Sequence, residues 1–141
     1  MFFMRGERNF SYHVLSQQRP PILQIHIEVR SPQEAGKMRR IQAIIDTGAD
    51  RTFIPAHIFT ELGPEYFEYG EKVRVKGADD GAEGEDRSTF LVHLGFAGCD
   101  IHDHEVISLN SQYAVIGRDI LNLHTLVLRG PKLKWLVNGK C

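Results

Sequence analysis

The sequence predicts a predominantly β domain with many short strands around one core. Apolar and polar residues alternate with a period of two in several separate segments, turn clusters rich in glycine, proline and charge separate them, and only one or two segments read as helical. At 141 residues the chain is expected to form a single domain able to bury its own core. Strands of this number and length build a small barrel-like or sandwich body.

Residues 1–20 lack a firm period and close at Pro20-Pro21, so they read as an N-terminal arm or lead-in, with the domain over 21–141. In ILQIHIEVR, Leu23, Ile25, Ile27 and Val29 face one way and Gln24, His26, Glu28 and Arg30 the other, the pattern of a half-buried strand. After the polar turn SPQEAGKM, Ile41, Ala43 and Ile45 resume the alternation, which predicts an antiparallel hairpin ending at Asp46. A short strand is expected at Thr52 to Ile54 and a helical turn or two at Ala56 to Leu62, stopped by Gly63-Pro64. KVRV and STFLVHLGF are strands on either side of GADDGAEGEDR, which carries three glycines, five acids and one base and therefore projects as a hairpin tip. Beyond a turn at Gly98 to Asp100 come a strand at HEVISL, a short strand at YAVIG and a short helix at RDILNL. A closing hairpin forms around Gly130-Pro131, with Leu126 and Leu128 on one arm and Leu133, Trp135 and Val137 on the other.

Composition excludes several classes of function. With 17 Lys plus Arg against 18 Asp plus Glu, the net charge of -1 supplies no general attraction to nucleic acid or an anionic membrane. The tail from Arg129 to Lys140 holds four bases and no acid, but without a recognised binding motif it reads as a hydrated outer face. No apolar run approaches the roughly 18 residues that span a bilayer, and the opening MFFMRGERNF reaches charge too early for a signal peptide; a cytoplasmic protein is expected. There Cys99 and Cys141 would stay reduced. His102 and His104, beside Asp100, Asp103 and Glu105, approximate a nitrogen and oxygen metal site, yet a hydrated turn accounts for the same residues. No metal or organic cofactor is expected. The remaining histidines have no serine or cysteine arranged as a nucleophile.

The densest motif is AIIDTGADRTFIP, Ala43 to Pro55. An aspartate leaving a buried strand needs donors or water, because an unpaired buried charge is too costly. Gly48 leaves room for backbone N–H groups, and Thr47 adds a hydroxyl. These properties fit a capped turn as well as a catalytic carboxylate. Asp-Thr-Gly-Ala-Asp between apolar strands, followed about seventy residues later by AVIGRD, is similar to the retroviral-type (retropepsin-like) aspartic proteases and their single-domain cellular or bacterial relatives.

The resemblance implies a closed acid-protease barrel with one or two short helices, and a catalytic role for Asp46. The chemistry of that family takes two carboxylates sharing a proton. Because this chain has one such motif, the resemblance implies a homodimer acting on a peptide or protein. Thr47, Gly48, Ala49 and Asp50 would support the loop together with Gly117, Arg118 and Asp119, Arg118 pairing with Asp50. Ile44, Ile45, Val115 and Ile116 would pack beneath it. The flap would be the hairpin from Val75 to Thr89, with Gly77, Ala78, Asp79, Asp80, Gly81, Ala82, Glu83 and Gly84 at its tip; its acids either attract basic peptides or are simply hydrated. The added C-terminal hairpin leaves the dimer strands open. The alternatives are a catalytically silent dimeric module that binds peptide or protein, and a domain processed from a longer precursor.

Overall fold

The computed structural model describes residues 8–76 and 84–139. Its strands are β1 (Arg8–Ser11), β2 (Gln24–Arg30), β3 (Met38–Ile45), β4 (Phe53–Pro55), β5 (Val73–Val75), β6 (Glu85–Arg87), β7 (Thr89–Phe96), β8 (Cys99–Leu109), β9 (Ala114–Ile116), β10 (His124–Arg129) and β11 (Lys134–Gly139), with helices α1 (Ala56–Leu62) and α2 (Arg118–Leu121). Six strands close a barrel in the order β2-β3-β9-β4-β8-β7. The expected all-β barrel with two short helices is what the chain forms.

The alternation read from sequence sets which side chains fill the barrel. Ile25, Ile27 and Val29 of β2, Ala43 and Ile45 of β3, and Val92, Leu94 and Phe96 of β7 are all buried. A period of two places each set on one face of its strand. The hairpin β2–β3 pairs Gln24 with Ile44 through Arg30 with Met38. Between β7 and β8 the turn is tight, Ala97 and Gly98 both having positive φ at 52° and 80°. That backbone twist suits a two-residue hairpin turn and is accessible to glycine without strain. Pairing therefore starts at once, so β8 begins at Cys99 rather than at the expected His104.

One end of the barrel is closed by α1, whose Ile58, Phe59 and Leu62 are buried. Phe59 stacks on Phe90 at 4.1 Å between ring centroids and meets Phe67 edge-on at 5.1 Å. The helix stops at Gly63, where φ is 104° and the amide returns to the Phe59 carbonyl.

Outside the barrel lies a three-stranded sheet, β1-β11-β10. The lead-in thus contributes a strand, pairing Arg8 with Val137 through Ser11 with Lys134, a contact between chain ends that no local period reveals. Phe10 stacks on the fully buried Trp135 at 4.7 Å. The α2 helix ends at Leu121, shorter than RDILNL suggested. Cys99 is buried and disulfide-bonded, against the expectation of reduced thiols, while Cys141 lies outside the described residues. Among the described residues no helix is long and apolar enough to cross a membrane.

Because Phe59 fills the junction between helix and barrel, Phe59→Ala is expected to lower unfolding free energy by about 3–5 kcal/mol. The exposed Met38→Ala should stay within about 0.5 kcal/mol. Urea denaturation of both variants, with the slope held to the wild-type value, checks the contrast.

Candidate active site

Two distant segments meet through a parallel pairing. Ala43, Ile44 and Ile45 of β3 lie against Ala114, Val115 and Ile116 of β9. The paired segments are short and apolar, with Ala43, Ile45, Ala114 and Ile116 buried. The next residue on each strand leaves the pairing at the same level: Asp46 donates its amide N–H to the Ile116 carbonyl at 3.0 Å. The loop after Asp46 and the turn before α2 are thereby held together.

The loop folds back on its own aspartate. Gly48 N–H donates to Asp46 Oδ1 at 2.8 Å, and Ala49 N–H to the Asp46 carbonyl at 3.2 Å. A Cβ on Gly48 would stand 3.1 Å from that same carboxylate oxygen, so glycine keeps the approach open. Gly117 is required more strictly. A Cβ there would lie 2.4 Å from the Arg51 carbonyl oxygen and 2.9 Å from that of Ala49. Both contacts are with backbone and cannot be relieved by a rotamer change.

Asp46, Thr47, Gly48 and Asp50 are exposed and Ala49 is half-buried. Arg118 binds the loop from below, its amide donating to the Ala49 carbonyl at 2.8 Å and its Nη1 to the Thr47 carbonyl at 2.7 Å. The expected Arg118–Asp50 pair is not formed. The guanidinium meets a carbonyl that the turn leaves unbonded, while the exposed Asp50 carboxylate keeps its hydration and has little to gain from pairing. The Asp46 carboxylate thus takes its hydrogen bond from the Gly48 amide of its own loop.

Asp119 has the opposite setting, with a side chain 15 % exposed. Its Oδ2 accepts from the Thr52 amide at 3.1 Å and lies 2.8 Å from His104 Nε2; its Oδ1 accepts from the Thr52 hydroxyl at 2.7 Å. Burial pushes its carboxyl up, but the hydrogen bonds from His104 and from the hydroxyl and amide of Thr52, with the charge of His104, outweigh it. The group is held below its ordinary value of 3.8. Thr52, fully buried, also accepts the Gly117 amide at 3.2 Å on its hydroxyl oxygen.

Sequence reasoning missed Thr52 and His104. Thr52 lies within the same quoted stretch, and only its burial marks it out. His104 shares the face of the buried Val106 by alternation, a signal that it is packed rather than hydrated. It does not join His102 in a metal site: His102 instead packs edge-on against His93, at 4.4 Å between centroids, and Asp103 Oδ1 lies 3.4 Å from His93 Nε2.

The base of the projecting hairpin is the antiparallel pair β5–β6, with Val73 opposite Arg87 and Val75 opposite Glu85. Gly77, Ala78, Asp79, Asp80, Gly81, Ala82 and Glu83 lie outside the described residues, and Gly84 has φ 63°. Of the hairpin's described acids, Asp86 pairs with Arg74 and Glu85 with Arg87. Their charge is largely answered within the hairpin. A groove of about 360 Å³ separates Asp50, Arg51 and Phe53 of the loop from Val73 to Lys76 of the hairpin. It places a mixed apolar and polar cleft beside the Asp46 loop.

The family model for retroviral aspartyl protease matches residues 16–129. Among solved structures, a retropepsin-like aspartic protease from Rickettsia conorii is similar with a TM-score of 0.61 and 15% identity, covering 95% of this chain and 91% of that one. EIAV protease complexed with the inhibitor HBY-793 gives a TM-score of 0.50 and 16% identity over 77% of this chain and 92% of its own. A foamy viral protease-reverse transcriptase gives 0.53 and 20% identity over 75% of this chain and 12% of its own. At these identities the likeness is one of fold. No curated protein matches the chain.

The lowered pKa of Asp119 has a definite consequence for acid stability. A carboxyl whose folded pKa lies below its unfolded one stabilises the fold above the unfolded value and loses that contribution as pH falls through the folded value. The stability advantage of wild type over Asp119→Asn is therefore expected to be full above 3.8 and to shrink as pH drops further. Thermal melts of both proteins from neutral to acid pH measure it, and an advantage that grows on acidification contradicts the assignment.

Proposed function

The chain belongs to the retroviral aspartyl protease family, and we propose that it is a homodimeric aspartic endopeptidase whose site forms when Asp46 meets the partner subunit's Asp46. The observation that carries this reading is the setting of Asp46, an exposed carboxylate at the end of β3 held by the Gly48 amide, in a chain whose sequence has a single Asp-Thr-Gly motif. A two-fold axis beside the loop supplies the missing group from an identical chain.

Two carboxylates at close range cannot both ionise, so the pair holds one proton between them. The ionised oxygen takes a proton from a bound water, which attacks the peptide carbonyl. The protonated carboxyl donates to that carbonyl oxygen as the tetrahedral centre forms. A proton then passes to the departing nitrogen as the C–N bond breaks. Gly48 N–H steadies one oxygen of Asp46 throughout, and Arg118, through the Thr47 carbonyl, keeps the loop in place. The extended substrate lies in the groove between the loop and the β5–β6 hairpin, which acts as a lid against water.

The outer strand of the terminal sheet suits the second copy. β10 pairs on one side with β11, and Val127 and Leu128, with Leu123 just before the strand, are exposed. An uncovered strand edge with apolar side chains favours association with a like edge.

Asp46→Asn is expected to lower peptidase turnover by at least about 10²- to 10⁴-fold while leaving the melting temperature near that of wild type. Specific activity should fall on dilution in step with dimer dissociation followed by sedimentation. Its pH profile should be bell-shaped, because only the singly protonated pair works. A monomer that keeps full activity defeats the shared pair. Equal turnover by wild type and Asp46→Asn defeats the enzyme itself, leaving a peptide-binding dimer.

A further inference from the structure

We infer that His104 is a positioning residue for the Asp46 loop, acting through Asp119 and Thr52, an inference that rests on the endopeptidase reading above. The contacts form a directed chain. His104 Nε2 lies 2.8 Å from Asp119 Oδ2. Asp119 in turn accepts from both donors of Thr52, at 3.1 Å from the amide and 2.7 Å from the hydroxyl. The hydroxyl that donates to Asp119 uses its lone pair to accept Gly117 N–H at 3.2 Å. Gly117 sits against the carbonyls of Ala49 and Arg51, so the chain ends on the backbone of the loop itself.

His104 fixes which way the carboxylate faces. Asp119 Oδ1 has a second donor in its neighbour Ile120 N–H, at 3.0 Å, whereas Oδ2 has Thr52 N–H and His104. Without the imidazole, Oδ2 keeps the longer of its two contacts, in a place where the side chain is 15 % exposed and water is scarce. The carboxylate is then held at Oδ2 by one donor in place of two, and the Thr52 hydroxyl faces a less firmly fixed acceptor. The adjoining residues reinforce the same point: Glu105 holds Arg51 at 2.9 Å, and Ile107 N–H donates to the Thr52 carbonyl at 3.0 Å. Strand β8 thus holds the exit of the loop by its backbone, by Glu105 and by His104. In a shared-proton site a small displacement of either Asp46 acts on the chemical step, while the hairpin wall of the groove, Val73 to Lys76, stands outside the chain of contacts that begins at His104.

The test compares wild type, His104→Ala and His104→Gln, the last retaining a neutral N–H donor. For His104→Ala on a peptide substrate, kcat is expected to fall about tenfold or more with KM within about twofold, and His104→Gln to recover most of the loss. Amide hydrogen exchange supplies a readout independent of turnover. In His104→Ala, exchange of residues 46–52 and of Gly117 should quicken by about tenfold, with β2 and β7 unchanged. Unchanged kcat and loop exchange in His104→Ala overturn the inference, as does a His104→Gln protein no better than His104→Ala. Should wild type show no turnover, the endopeptidase reading fails by itself. Exchange then decides alone: selective loosening of the loop in His104→Ala upholds the positioning role, and a uniform or absent change overturns it.

Discussion

Everything at the candidate site depends on the parallel pairing of β3 with β9. Thr47 and Arg118 are 71 residues apart in sequence, and three residue pairs, Ala43 with Ala114 to Ile45 with Ile116, bring their neighbourhoods together. Parallel strands need a long crossover, and here the crossover includes β4, α1, the hairpin and the whole β7–β8 ribbon. Burial of the small and branched side chains on these strands holds the register. A slip of one residue would expose Ile45 and Ile116 and lift Asp46 away from the Ile116 carbonyl.

From that register follows a division of labour between two carboxylates. Asp119 lies under the loop, surrounded by donors, and stays ionised because its hydrogen bonds outweigh burial. Asp46 stands above, exposed, with the Gly48 amide on one oxygen. Charge that is fully satisfied rigidifies a structure, and charge left partly open is free to react. The same short loop meets both carboxylates because Thr52 at its exit faces the interior and binds Asp119 while Asp46 at its entrance faces out.

Much of this was legible in the residues. The alternation in ILQIHIEVR and STFLVHLGF marked β2 and β7 and named their buried faces, since a period of two translates directly into one side of a strand. Asp46 and Gly48 stood out as an aspartate leaving an apolar strand with a glycine two residues on, whereas Gly117 and Arg118 stood out only through the resemblance of the two motifs to the retroviral-type aspartic proteases. Strand β1 was not legible, because its partner β11 lies at the other end of the chain and neither segment has a period long enough to announce the match. The Thr52–Asp119–His104 contacts were hidden for the same reason: each joins residues whose sequence neighbours say nothing of the other. The Arg118–Asp50 pair was expected from resemblance and replaced by a carbonyl contact, a choice made by local geometry and hydration.

By itself, the sequence determined the fold class, the apolar faces of its main strands and the position of one candidate catalytic carboxylate. These are local properties, set by side-chain periodicity and by the few residues able to make a turn. Only the tertiary structure decided what supports that carboxylate. Such contacts depend on closing the barrel, which brings three segments to one point and leaves Asp46 exposed with the Gly48 amide on one of its oxygens.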